Sequence, residues 1–214
     1  MANGGLRSVV MILVCVLLSL EAMAHTHTHT ISHDDGPRVR TEWGVGFGGS
    51  YTMLDYGPTP VELKPRFGLG GHLHMGLLFG NNFALETEIH YQKGSLDASL
   101  AKSEISHRVK TSTVDIPVLL SVRMLDNIIQ LDAGAMFTVM SNTEYLHENE
   151  TMFFGPMYPT FNLAFGAGIR LSRHLLLEAH YVYPLGKTTN QFISKAYTFE
   201  TCAPRVMGGL TLMF

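Results

Sequence analysis

From Trp43 onward the chain alternates large apolar residues with small or polar ones. Trp43, Val45, Phe47, Tyr51 and Met53 occupy odd positions, and Gly44, Gly46, Gly48, Ser50 and Thr52 fall between them. A period of two means a strand with one apolar face. Phe67, Leu69, Leu73, Met75, Leu77 and Phe79 repeat the pattern against Arg66, His72 and His74, and Phe83, Leu85, Ile89 and Tyr91 repeat it against Glu86, Glu88 and His90. Val114 to Val122 oppose Asp115, Ser121 and Arg123; Ile129 to Phe137 oppose Gln130 and Asp132. Phe161 to Leu171 oppose Asn162 and Arg170, Leu175 to Tyr183 oppose Glu178 and His180, and Val206 to Phe214 oppose Arg205, Gly209 and Thr211. Eight strands are predicted.

The connections alternate as well. Residues 80 to 82, 125 to 127 and 172 to 174 read as tight turns, whereas 55 to 62, 94 to 107, 141 to 158 and 186 to 203 read as long loops. This is the signature of an up-and-down antiparallel meander closed into a barrel. A lipocalin-like barrel is apolar inside, and an outer-membrane barrel is apolar outside with a polar lumen. Aromatic residues at the strand ends favour the membrane reading: Phe79, Phe83 and Phe214 mark the short-turn end and Tyr91, Phe161 and Tyr183 the other, as interfacial girdles would. The non-apolar face then becomes a lumen lined by Arg66, His72, His74, Glu86, Glu88, His90, Asp115, Arg123, Asp132, Arg170, Glu178, His180 and Arg205, in which carboxylates and arginines pair.

Residues 1 to 24 have the form of a secretory signal peptide: Arg7, the apolar run Val9–Leu20 and the Ala22, Met23, Ala24 cleavage site. Residues 25 to 41 form a histidine-rich leader expected in the periplasm, and residues 42 to 214 the barrel. Cleavage leaves Cys202 as the one cysteine, so no internal disulfide is expected. With 15 Lys and Arg against 18 Asp and Glu, nucleic acid is not an expected partner, and a charged fraction of 15% beside 46% hydrophobic residues excludes a disordered chain.

Two stretches carry chemistry. His25, His27 and His29 alternate in the leader, where imidazoles can converge on Zn, Cu or Ni; the other reading is a solvated segment with no cofactor. In the lumen, the turn at residues 80 to 82 sets the hairpin register. Pairing Gly80 with Asn82 places His74 opposite Glu88 and His72 opposite His90, the neighbouring allowed register places His74 opposite His90, and in either case His72, His74, Glu88 and His90 share the interior. These four residues form either a hydrogen-bonded plug or a donor set suited to Zn.

The terminal strand, with Leu210, Leu212 and Phe214 on one face, looks like the signal read by the barrel assembly machinery. The stretches 114 to 120, 129 to 137, 165 to 171 and 177 to 181 resemble the porin-like, PorT-type outer-membrane barrels, small OmpA/OmpX-like eight-stranded proteins. The resemblance implies an integral, multi-pass protein of the Gram-negative outer membrane, and one branch of that family serves protein secretion. An eight-stranded barrel is narrow enough to be filled by side chains, so an open pore is not expected. Three functions follow: a non-enzymatic envelope barrel whose loop 141 to 158, with Tyr145, Met152, Phe153, Phe154, Met157 and Tyr158, meets a partner, extends strands beyond the membrane or folds over the mouth; an accessory of a secretion system; or a lipid-modifying enzyme. Against the last, Val182 stands where a hydroxyl neighbour of His180 would be needed, so no catalytic residue is assigned.

Overall fold

The computed structural model describes residues 39–80, 82–100, 106–193 and 196–214. They form thirteen strands: β1 (Val39–Thr52), β2 (Asp55–Tyr56), β3 (Val61–Pro65), β4 (Gly68–Phe79), β5 (Phe83–Leu100), β6 (Ser106–Met124), β7 (Ile129–His147), β8 (Glu150–Phe153), β9 (Phe161–Ser172), β10 (Leu175–Pro184), β11 (Thr188–Phe192), β12 (Tyr197–Cys202) and β13 (Arg205–Met213). Eight of them, in the cyclic order β1, β4, β5, β6, β7, β9, β10, β13, pair antiparallel around a closed ring, because β1 hydrogen-bonds both β4 and β13. Closure removes every edge within the ring. All eight predicted strands are present, and β1 starts at Val39, inside the stretch assigned to the leader. The signal peptide and His25, His27 and His29 lie outside the described residues.

The faces are inverted relative to a water-soluble protein. Phe47 is 68% exposed, Leu120 68% and Phe214 73%, while Glu86, Arg123 and Arg205 are buried. Only a lipid surround makes that arrangement favourable, since the outward apolar band then never meets water and every backbone group is satisfied within the ring.

Strands β5, β6 and β7 are 18, 19 and 19 residues long, whereas about 9–11 residues cross a bilayer as a tilted strand. Their far halves leave the band, and along β5 the two faces exchange character without any break in pairing. Near the short-turn end Leu85, Ile89 and Tyr91 point outward and Glu86, Glu88 and His90 inward; farther along, Lys93, Ser95 and Asp97 point outward and Leu96 and Ala98 inward. Much of the predicted loop 94 to 107 is therefore strand. β3 adds to β5 and β8 to β7, and a separate sheet of β11, β12 and β2 completes the long-loop end. Val61, Leu63, Leu96, Val109, Tyr145, Phe154, Met157, Phe192 and Phe199 form one apolar cluster there. Tyr145, Phe154, Met157 and Tyr158 of the predicted 141 to 158 loop are thus core of a folded cap, and Leu146 and Phe153 remain 62% exposed. The stretch is in part strand extension beyond the membrane, as β7 and β8, and in part a segment packed into the cap through Phe154, Met157 and Tyr158.

Arg66 does not enter the lumen as expected. It lies on the outer surface beside the cap, where its guanidinium binds Asp97 at 2.7 Å, with Arg108 3.5 Å away on the other side. Position 66 falls between strands, where the period-two pattern lapses. The hydrogen bond from Arg66, with the charge of Arg66 and a weaker contribution from Arg108, holds the Asp97 carboxyl below the usual range. Its modest stabilising contribution is present above the ordinary carboxylate range and is lost as pH falls through the lowered value.

One expected outcome concerns orientation. In a Cys202→Ser background, a cysteine at Asn149, in the exposed β7–β8 turn, reacts with an impermeant maleimide on intact cells, and one at Asp126, in a short turn, reacts only after lysis. The reverse pattern contradicts a cap on the outer surface.

Candidate functional site

The lumen is filled in three layers. Nearest the short turns, Arg123 on β6 bridges Glu42 on β1 and Glu86 on β5, each at 2.9 Å, and Arg170 on β9 adds a 3.0 Å contact to Glu42. Gln130 donates weakly to Glu86 and Asp132. Nearest the cap, Arg205 on β13 donates to Asp115 on β6 at 2.7 Å, Thr138 donates to the same oxygen at 2.6 Å, and the Arg205 guanidinium lies 4.2 Å from the Tyr158 ring centroid. Tyr158 in turn bonds Thr52 across the mouth at 2.6 Å. Charged lumen and apolar cap are thus joined through one arginine.

Between these layers sit the imidazoles. His72 pairs with His90 and His74 with Glu88 across the β4–β5 hairpin. His74 Nδ1 is 2.7 Å from Glu88 Oε1, and His90 Nε2 contacts the other oxygen of the same carboxylate. The His72 and His90 rings stack at 4.8 Å. From the opposite wall, Glu178 on β10 reaches His72 Nε2 at 3.0 Å, and His180 stands 3.8 Å from Asp132. Thr211 on β13 links the walls: its hydroxyl donates to Glu178 Oε1 at 2.8 Å and lies 2.7 Å from His72 Nε2.

Glycines of the lumen face explain how the His72 and His180 rings fit. A Cβ on Gly46 would collide with the His72 imidazole, and one on Gly166 with that of His180. Absence of a side chain on the facing strand is what admits each ring. Gly80, at a φ of +68°, makes the tight turn that fixes the hairpin register.

The charge balance differs from the sequence reading. With Arg66 outside and Glu42 inside, the described lumen holds six carboxylates, Glu42, Glu86, Glu88, Asp115, Asp132 and Glu178, against three guanidiniums. The signal for Glu42 was available, since it continues the even-numbered face of β1. Leu210, Leu212 and Phe214 all lie on the outward side of the closing strand region, with Leu212 45% exposed.

A family model described as outer membrane protein beta-barrel domain matches residues 33–190. The chain belongs to that family. Its place is the outer membrane, as an integral barrel in contact with lipid. The fold is similar to the crystal structure of Neisserial surface protein A, at a TM-score of 0.50 and 11% identity over 80% of this chain and 97% of that one. OprG from Pseudomonas aeruginosa gives a TM-score of 0.48 at 11% identity, covering 85% of this barrel chain and 99% of that one. Ail from Yersinia pestis, solved with a heparin analogue, gives 0.46 at 16% identity, covering 81% and 99%. No curated protein matches in sequence.

Proposed function

We propose that this outer-membrane barrel is a sealed, non-enzymatic envelope protein. Its lumen is plugged by ion pairs, and its cap presents a surface for interaction or supports envelope integrity. The observation that carries this reading is the continuity of packing along the axis, from the Arg123 bridge through the imidazoles and Arg205 to the apolar cap. At the level of the imidazoles the free space is a cavity of about 10 Å³, room for about one water, which supports a lumen closed to solutes.

Chemistry on membrane lipid requires a nucleophile or base displayed toward the lipid or the rim. His180, two residues from Glu178 on β10, faces the lumen at 4% exposure. Its neighbours there are Asp132 and the bare backbone of Gly166, and among the described residues no hydroxyl is hydrogen-bonded to it for activation. This supports the non-enzymatic reading.

An interaction surface remains at the β7–β8 edge. Leu146 on β7 and Phe153 on β8 point outward there, each 62% exposed, and β8 has β7 as its one paired neighbour among the described residues. Apolar residues at an open strand edge favour a protein contact. Cross-linking and co-purification from native membranes test the role. Recovery of the barrel without stoichiometric partners supports a stand-alone envelope protein; recovery with secretion components contradicts it and favours the PorT-like accessory role.

A further inference from the structure

Three lumen carboxylates, Glu88, Asp132 and Glu178, have no arginine among the described residues; their ion-pair partners are imidazoles. The three guanidiniums are committed to Glu42, Glu86 and Asp115. Three buried negative charges in a closed, lipid-surrounded barrel are too costly to leave uncompensated. Either protons on the histidines or a bound cation must supply the positive charge.

We propose that the mid-lumen is a binding site for one divalent first-row transition ion, held by His72 from β4, Glu88 from β5 and Glu178 from β10. One donor atom from each of the three lies within 4.8 Å of the others, and all three residues are buried. One imidazole and two carboxylates form a mixed nitrogen and oxygen set of the kind used for Zn and its neighbours. Such an ion needs donors about 3.5 Å apart at bond lengths of about 2.0–2.2 Å, so the site closes by about an ångström on loading.

Independent features point to the same place. Glu178 is 4% exposed and its Oε2 has no hydrogen-bond partner among the described residues. A cavity of about 10 Å³ is bordered by Glu178 together with His72, His90 and His180, about the space that one water or one ion needs. Gly46 and Gly209 leave room for the His72 ring, whose Cε1 would lie 3.1 Å from a Cβ on Gly209. The surrounding groups match the needs of ligands. His74 and His90 hold both oxygens of Glu88, and Thr211 bonds both Glu178 and His72, so each ligand is oriented by a second residue. Binding through Nε2 replaces the His72–Thr211 hydrogen bond, with the proton of the neutral imidazole moving to Nδ1, and the ion supplies two of the three missing charges.

The test uses the full mature chain folded in detergent micelles, with His25, His27, His29 and His33 replaced by serine to silence the leader. After incubation with micromolar Zn²⁺ and gel filtration, about one equivalent stays bound to the folded barrel, and Glu178→Gln or His72→Gln lowers the affinity by at least about tenfold. Co²⁺ substituted into the leader-silenced chain reports the site without any lumen mutation, by visible absorption of a low-coordinate nitrogen and oxygen complex. Folded, leader-silenced chain that holds no Zn²⁺ and shows no such Co²⁺ spectrum overturns the proposal. So does binding unchanged by Glu178→Gln in a variant that still folds, which would move the metal to surface histidines. If the variants do not fold, the Co²⁺ spectrum alone decides.

Discussion

Replacing Arg205 by Met is expected to cost the barrel about 3–5 kcal/mol, the largest effect of any single substitution in the lumen. Arg205 is 1% exposed, and Asp115, its partner, is completely buried. Removing the guanidinium leaves that carboxylate with Thr138 as its remaining donor and takes away the cation over Tyr158 that ties lumen to cap. The check is the denaturant midpoint of folded protein in micelles, followed by heat-modifiable migration. The companion variant Asp115→Asn/Arg205→Met separates charge from shape: with no ion left to neutralise, it regains much of the loss. A double variant no more stable than Arg205→Met would show that packing, and not the buried pair, is what position 205 supplies.

A second large effect is expected in the cap. Phe154 is fully buried, with its ring centroid 6.3 Å from Tyr145, 6.4 Å from Phe192 and 5.9 Å from Phe199. Its truncation to Ala removes the centre of the apolar cluster, at a cost of about 3–5 kcal/mol within that region. Because the cap and the membrane band have separate packing, the loss should stay local. Protease added to intact cells should cut the 141 to 158 region of Phe154→Ala much faster than wild type, while the lipid-embedded band keeps its heat-modifiable migration. Phe154→Leu, which retains most of the volume, should lie between. Equal cleavage of Ala and wild-type proteins would mean that the cluster does not hold the cap together.

The cap also shows where a sequence reading stops. The membrane half was legible because one rule covers it: lipid outside and ion pairs inside impose alternation of a single phase on every strand, as in Leu85, Ile89 and Tyr91 against Glu86, Glu88 and His90. The register of the β4–β5 hairpin was legible to within a residue pair for the same reason, since a slip of one residue would turn Leu73 and Ile89 into the lumen, and the structure selects the pairing of His74 with Glu88. Beyond the band the solvent changes, and the phase changes with it. Leu96 and Ala98 face inward on β5, and the outward positions become Lys93, Ser95 and Asp97. A pattern that reverses within one strand reads as an interruption, so a loop was expected where the chain continues in hydrogen-bonded register with β6 as far as Ser99 opposite Ser106. The β6–β7 ladder reinforced that impression, because a register shift at Val114/Asp115 displaces the alternation further.

The candidate site divides along the same line. Alternation assigns a residue to the lumen face, which identified His72, Glu88 and Glu178, but it does not say which residues meet across a barrel. The contact of Glu178 with His72 joins β10 to β4, strands separated in the ring by β13 and β1, and it depends on the glycines of those intervening strands. Arg66 shows the converse: its charge suited a lumen, but it stands outside the regular strands and finds Asp97 on the outer surface.

The account rests on a barrel that is closed along its axis, and conductance measures that directly. Purified protein inserted into planar bilayers is expected to show no stable open-channel current across the physiological voltage range, in wild type and equally in Phe154→Ala, because the charged layers below the cap seal the lumen by themselves. Large, reproducible conductance steps from the wild-type protein would contradict it.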